Sequence, residues 1–364
     1  MSKGRAMTKT QSDSIRVVVV DDSPTARELL VMLLQRVEGI QVVGTASNGE
    51  DAIRLTKRLR PDIVTMDVFM PQMDGLEATR RIMRQAPTPI VVVTSTLMRN
   101  DMDLTFESLK SGALTAVLKP GLADPETCDQ VVQAVRLMAD VPVVRRWGRG
   151  EGASEDIKAA PAPPAPRQTE RKPTKASRRS VKIVGIASST GGPGALATVL
   201  GSLPADYPLP IAIVQHVAAG FTTGLVEWLD SETPLRVSVA AFGDTLKAGS
   251  VSIAPDDYHM QVNGRGGVKL SKEPPYKGLR PSANYLFDSL AHNYGPQALG
   301  VVLTGMGDDG ADGMETLHQA GALTVAQDEK SCVVYGMPRE AVIRKAIDLV
   351  LPLDQIAALL GHQA

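Results

Sequence analysis

Two sets of side chains in this sequence have the types and spacing to do chemistry. The first is Asp21-Asp22, Asp67, Thr94 and Lys119: three carboxylates, a hydroxyl and an ammonium, each at the end of an apolar run. Three carboxylates converging on one edge repel one another unless a cation holds them, and oxygen ligands of this kind suit Mg²⁺. Lys119 and Thr94 could bring a charge and a hydroxyl to a phosphoryl group added at the same point. The second set is Ser188-Ser189, His216 and Asp308-Asp309, in that chain order. A serine hydroxyl needs a base, and the base needs a carboxylate that fixes its tautomer and stabilises its cation, so this is the inventory of a serine hydrolase. In an α/β-hydrolase the acid precedes the histidine, which this order excludes, and Ala187-Ser-Ser-Thr-Gly191 is only a variant of the nucleophile elbow. From these residues alone either serine could be the nucleophile.

The elements that must position the first set alternate strand with helix. Val17–Val20, Gln41–Ala46, Ile63–Met66, Ile90–Val93 and Leu114–Leu118 read as strands, and Pro24–Arg36, Glu50–Leu59 and Leu76–Gln85 have helical spacing. This (βα)₅ pattern predicts a parallel sheet with helices on both faces and its polar residues at the carboxyl ends of the strands. One acidic strand end could be a helix cap; five matching ends are better explained by a site.

The second set sits on a similar frame. Val181–Ala187 is a β-branched strand that breaks into two serines and a cluster of glycines, Gly191, Gly192 and Gly194. Such a strand-turn-helix opening could serve a nucleophile, a phosphate cradle or an ordinary corner. No lysine follows the glycines, so a Walker loop is excluded, and the next strand, Leu209–Val214, ends in Gln215-His216 where a dinucleotide fold wants a carboxylate. Catalysis is therefore favoured over cofactor binding. Leu299–Leu303 leads into Thr304-Gly-Met-Gly-Asp-Asp-Gly310, with no glutamate to close a calcium loop around Asp308, Asp309 and Asp312. One of Asp308 and Asp309 is expected to cap the helix that follows. Gly243–Leu270 reads as short hairpins, and His259, His292, His318 and His362 as structural residues. The whole chain is then α/β, with two doubly wound parallel-sheet domains.

The 364 residues suit two domains with aliphatic cores, hydrophobic residues being 43% and aromatics only 4%. A formal net charge of −1 gives no global attraction to nucleic acid or to an anionic membrane. Cys128 and Cys332 form no paired motif and read as reduced thiols, and no run is long enough to span a bilayer. Residues 1–14 are expected to be disordered. Residues 141–180, with Pro161-Ala-Pro-Pro-Ala-Pro166 and a basic end, read as a semi-rigid tether between domains at 15–140 and 181–364. Such a tether transmits little torque, so the domains should communicate by docking.

Asp21-Asp22, Met66-Asp-Val-Phe-Met-Pro-Gln-Met-Asp-Gly75, Thr94-Ser95 and Lys119-Pro120 resemble a receiver domain of bacterial response regulators. The resemblance implies Asp67 as phosphoacceptor, Asp22 and Asp67 as direct Mg²⁺ ligands, Asp21 as a ligand through water, and Thr94 and Lys119 as phosphoryl contacts. Receivers usually carry an aromatic switch residue where this chain has Ala116, and Phe106 is read as core. Ala187-Ser-Ser-Thr-Gly-Gly192, Val214-Gln-His-Val-Ala-Ala-Gly-Phe221, Arg280-Pro-Ser282, Leu303-Thr-Gly-Met-Gly-Asp-Asp-Gly310 and Gly336-Met-Pro-Arg339 closely resemble the chemotaxis protein-glutamate methylesterase family, with a Rossmann-like catalytic domain. That implies Ser189 as nucleophile, His216 as base and Asp309 as its orienting acid, with an oxyanion hole from the Met306 N–H helped near Thr190 and no cofactor for the ester chemistry. Ala187-Ser188 stands where the family has a glycine before the nucleophile, and Asp308, in place of a neutral polar residue, is expected to add a little negative field. The implied substrate is a glutamate γ-methyl ester on the cytoplasmic domain of a chemoreceptor, with a glutamine amide there as the second implied substrate. The implied partner is a histidine kinase phosphodonor and the implied place the cytoplasm, near receptor arrays. The rival functions are a regulated serine hydrolase acting on another signalling protein and a phosphorylation-controlled binding module.

Overall fold

The computed structural model describes residues 14–94, 105–109, 111–121, 124–141, 143 and 180–362. Apart from Ser14, Val141, Val143 and Ser180, the expected disordered N-terminus and the Pro-rich basic tether lie outside the described residues.

The first sheet contains β1 (Ile15–Val20), β2 (Ile40–Ala46), β3 (Ile63–Met66), β4 (Ile90–Thr94) and β5 (Thr115–Leu118), ordered β2-β1-β3-β4-β5 and all parallel. β3 and β4 are buried along their whole length, as expected of Val/Ile runs covered on both faces. Helices α1 (Pro24–Gln35), α2 (Gly49–Leu59) and α3 (Gly75–Gln85) start at Ser23, Asn48 and Asp74, whose side chains accept the N–H of Ala26, Asp51 and Glu77. α4 (105–109) and α5 (Pro125–Met138) flank β5. The chain order reverses between β1 and β3, so Asp21, Asp22 and Asp67 leave the sheet at its switch point, where open α/β sheets form clefts.

The second sheet has seven parallel strands in the order β14-β13-β12-β6-β7-β9-β8. These are β6 (Ile183–Ser188), β7 (Ile211–Gln215), β8 (Arg236–Val239), β9 (Ser250–Ile253), β12 (Ala298–Val302), β13 (Leu323–Gln327) and β14 (Leu349–Leu351). Six helices pack on it: α6 (Gly192–Leu200), α7 (Thr222–Glu232), α8 (Ala283–Tyr294), α9 (Ala311–Gln319), α10 (Met337–Ile343) and α11 (Leu353–Gly361). Its switch point lies between β6 and β12, which puts the Ser188-Ser189 turn beside the 304–310 loop, with His216 one strand away.

Two expectations change here. Of the segment read as hairpins only β10 (His259–Val262) and β11 (Val268–Ser271) pair in that way, while β9 enters the main sheet between β7 and β8. Four apolar-leaning residues among glycines and serines show too little local pattern to separate a buried parallel strand from a hairpin arm. α2 and α3 also begin one residue earlier than their apolar spacing indicates, at Gly49 and Gly75, because the first turn is set by the caps Asn48 and Asp74. Among the described residues no helix is long and apolar enough to cross a membrane.

The two sheets meet through α4, β5 and α5. The Phe106 ring stacks on Trp228 of α7, centroids 5.4 Å apart and planes inclined by 21°. Trp228 Nε1 donates to Glu107 Oε1 at 3.3 Å. Phe106 is core, as read, but part of what buries it belongs to the other domain.

Candidate active site

In the first sheet, Asp21 and Asp67 are buried and Asp22 is exposed, and one oxygen from each lies within 4.8 Å of the others. Lys119 Nζ sits 2.8 Å from both Asp21 Oδ2 and Asp67 Oδ2. Burial works against the Lys119 charge, but the two carboxylates outweigh it and hold its pKa above the ordinary value. Burial, opposed by Lys119 and assisted by Asp21, raises the Asp67 carboxyl from 3.8 to about 6. Thr94 Oγ1 is buried without a hydrogen-bond partner among the described residues. Gly75 approaches so closely that a Cβ there would lie 2.0 Å from the Asp67 carbonyl oxygen, so the turn beside Asp67 needs glycine. Of the five residues singled out in the sequence, Asp21, Asp22, Asp67 and Lys119 are brought together, and Thr94 ends the neighbouring strand, its carbonyl accepting the Lys119 N–H at 2.7 Å.

The titration of Asp67 has a consequence for stability. Between pH 4 and 6 the folded chain keeps a proton that the unfolded chain has lost, so in metal-free buffer stability should fall as pH rises across this window, by roughly 2–3 kcal/mol in all. Asp67→Asn should abolish that decline. It should melt several degrees above wild type at pH 7 and close to wild type at pH 4; equal melting at both pH values would contradict this account.

In the second sheet, the neighbouring serines point to different surroundings. Ser188 is fully buried at the last position of β6, and its hydroxyl donates to Gln215 Oε1 at 2.6 Å. Ser189 is partly exposed and lines a cavity of about 670 Å³ together with Thr190, His216 and Met306. Gln215 also donates from Nε2 to the carbonyls of Ser189, at 2.9 Å, and His216, at 2.7 Å, so one amide braces both turns. A Cβ on Gly192 would sit 2.0 Å from Gln215 Oε1, which accounts for a glycine where α6 begins.

His216 Nε2 lies 2.9 Å from Asp309 Oδ2. The contact is short, but the carboxylate oxygen lies out of line for a full hydrogen bond along the ring N–H, and Nε2 has no other partner among the described residues. Burial pushes the Asp309 carboxyl up, yet His216, Ser282 and the Ala283 N–H together hold it below the ordinary value. The N–H groups of Thr190 and Met306 make no hydrogen bond among the described residues, and both residues face the same cavity as Ser189.

Asp308 differs from expectation. Its carboxylate meets Lys277 Nζ at 2.5 Å and Arg344 Nη2 at 3.6 Å, so its field is neutralised locally. Neither aspartate caps α9: the cap position is Gly310, with φ 87° and no side-chain bond. The neutralising cations come from positions 31 and 36 residues away in the chain and leave no local signal. Gln215, Ser282 and Asn284 are site residues that the sequence did not single out for a role. The only signal was a polar residue inside or just after a strongly apolar or turn-forming string.

The opposite wall of the cavity belongs to the first domain: Phe106, Ala116, Val117, Ala134 and Met138 line it with Ser189 and His216. Ala116, at the position of the missing aromatic, faces this space.

Known proteins resemble this chain along nearly its whole length. A family model described as CheB methylesterase matches residues 184–360, and one described as response regulator receiver domain matches residues 17–133. The chain is 45% identical over 357 residues to protein-glutamate methylesterase/protein-glutamine glutaminase 4 of Myxococcus xanthus, covering 96% of this chain and 97% of that one. It is 43% identical over 352 residues to protein-glutamate methylesterase/protein-glutamine glutaminase of Nitrosospira multiformis, covering 96% of each. The crystal structure of the Thermotoga maritima CheB methylesterase catalytic domain is 38% identical and covers 51% of this chain and 100% of that one, with a TM-score of 0.49.

Proposed function

This chain belongs to the CheB methylesterase family, with a receiver domain joined to the catalytic domain, and from that premise we propose how its residues divide the work. The reaction is hydrolysis of glutamate γ-methyl esters to glutamate and methanol, in chemotactic adaptation. The observation that carries the residue assignment is that Ser189 lines the same cavity as a His216 held by buried Asp309.

Ser189 Oγ attacks the ester carbonyl and passes its proton to His216, whose cation is stabilised by Asp309. Because Asp309 occupies Nε2, Nδ1 is the nitrogen left to take that proton. The N–H groups of Met306 and Thr190 are the donors for the oxyanion. His216 returns the proton to the leaving methoxide, methanol departs, and water activated by the same imidazole cleaves the acyl-enzyme. On a glutamine side chain the same route would release ammonia, as the names of the relatives suggest. The substrate is the cytoplasmic domain of a chemoreceptor, where each turnover restores a negative charge.

The first domain is the switch. Asp67 is the phosphoacceptor, with a histidine kinase as phosphodonor, and Thr94 and Lys119 contact the phosphoryl oxygens. Asp21, Asp22 and Asp67 fit Mg²⁺, since three carboxylate oxygens gather within 4.8 Å, and the buried Thr94 hydroxyl has no partner among the described residues. When bound, the ion supplies charge neutralisation for phosphoryl transfer. β5 joins the two functions: Lys119 at its end clasps Asp67, and Ala116 and Val117 within it wall the catalytic cavity. Docking of this face restricts the substrate, and phosphorylation weakens the docking.

Methanol release from methylated receptor membranes tests this reading. A phosphodonor should stimulate wild type, and Asp67→Ala should lose that stimulation while keeping the unstimulated rate. Stimulation of Asp67→Ala equal to wild type would sink the switch; no methanol from phosphorylated wild type would sink the substrate.

A further inference from the structure

Asp309 has more partners than an orienting acid needs. Its Oδ1 accepts from Ser282 Oγ at 2.5 Å and from Asn284 Nδ2 at 2.8 Å, and its Oδ2 accepts the Ala283 N–H at 2.6 Å. All three donors come from the start of α8, where Ser282 is the N-cap and the free N–H groups favour an anion. The two side chains are themselves held. Asn284 Oδ1 accepts the Gly313 N–H at 2.7 Å, tying α8 to α9. The Ser282 N–H donates to His259 Nδ1 at 3.2 Å, so the ring hydrogen of His259 is on Nε2, which faces the Pro274 carbonyl at 3.2 Å. His259 is fully buried and stacks on Tyr285, with centroids 3.8 Å apart. Asp309 is thus the point where a rigid, satisfied network reaches His216.

We propose that Ser282 and Asn284 are positioning residues of the esterase, which fix the Asp309 carboxylate against His216 and limit how strongly it draws a proton onto the imidazole. Each donor takes up part of the carboxylate's negative charge. With one removed, the carboxylate interacts more strongly with the imidazolium and is less well oriented. The base becomes too basic and is worse placed for transfer. The other charged groups on the cavity wall that His216 faces are Asp256, Asp257 and Arg280, and Asp308 beside Asp309 is paired with Lys277; the variants below leave them in place.

This inference rests on His216 being the base, and its test is separable from that assignment. The His216 ring is titrated by NMR in the full, histidine-labelled chain, its resonance identified by loss in His216→Gln. Ser282→Ala, and independently Asn284→Ala, should move the midpoint upward by about half to one pH unit. Ser282→Thr, which keeps the hydroxyl, should titrate like wild type. In the phosphorylated protein, Ser282→Ala should lower kcat for methanol release about tenfold or more with KM within twofold. A midpoint unmoved in folded Ser282→Ala overturns the proposal, whatever happens to kcat. Full activity in His216→Gln would overturn the base assignment instead.

Discussion

Ser189→Ala should lower methanol release by the phosphorylated protein by a factor of about 10⁴ or more, and Ser188→Ala should keep most of it. The two hydroxyls are one residue apart and chemically identical, so the contrast isolates their surroundings. Ser188 is sealed in the sheet and its proton is committed to Gln215, whereas Ser189 opens on the cavity that His216 lines. Removing the nucleophile leaves only binding and oxyanion stabilisation. Removing Ser188 leaves Gln215 Oε1 without its donor, a buried loss of about 1–2 kcal/mol in stability that does not touch the reacting atoms. Both variants can be compared by methanol release at saturating receptor, with melting as a control. Activity lost in Ser188→Ala and kept in Ser189→Ala would reverse the assignment.

Phe106→Ala should raise the unstimulated rate about tenfold or more, toward the phosphorylated level, and shrink the further gain from a phosphodonor. The ring is fully buried and stacks on Trp228, and the neighbouring Glu107 accepts from the same indole. A stacked aromatic pair contributes about 0.5–1.5 kcal/mol beyond its buried area, and loss of the buried ring adds more. Since 1.4 kcal/mol is a factor of ten in a docking equilibrium, one side chain can move much of the population. Phosphate uptake at Asp67 checks that the receiver still folds. If it does and the unstimulated rate stays at the wild-type value, this contact does not restrain the enzyme.

Much of the molecule was legible in the sequence because parallel α/β folds write their sites locally. An apolar β-branched run that breaks at polar residues and glycines marks a strand's carboxyl end, and a parallel sheet gathers all such ends on one edge. Asp21, Asp22, Asp67, Thr94 and Lys119, and then the strand ends Ser188-Ser189, His216 and Asp308-Asp309, could therefore be named before any contact was known. The 326–362 segment was less legible: its elements are three to nine residues long and depend on packing against β12, β13 and α6 more than on their own periodicity.

What the sequence determined by itself was the chemistry present at each strand end: carboxylates and an ammonium in one sheet, hydroxyl, imidazole and carboxylate in the other. Tertiary structure alone decided the partners. Successive residues at a strand end face different surroundings, so only the pairing of β6 with β7 assigns Ser188 to Gln215 and leaves Ser189 to the cavity. Charges distant in the chain decided that Asp308 is neutralised by Lys277 and Arg344, and the start of α8 decided how Asp309 is held. The docking of Phe106 on Trp228, which covers the catalytic cavity with the receiver, joins residues 122 positions apart, and no local pattern carries a contact at that range.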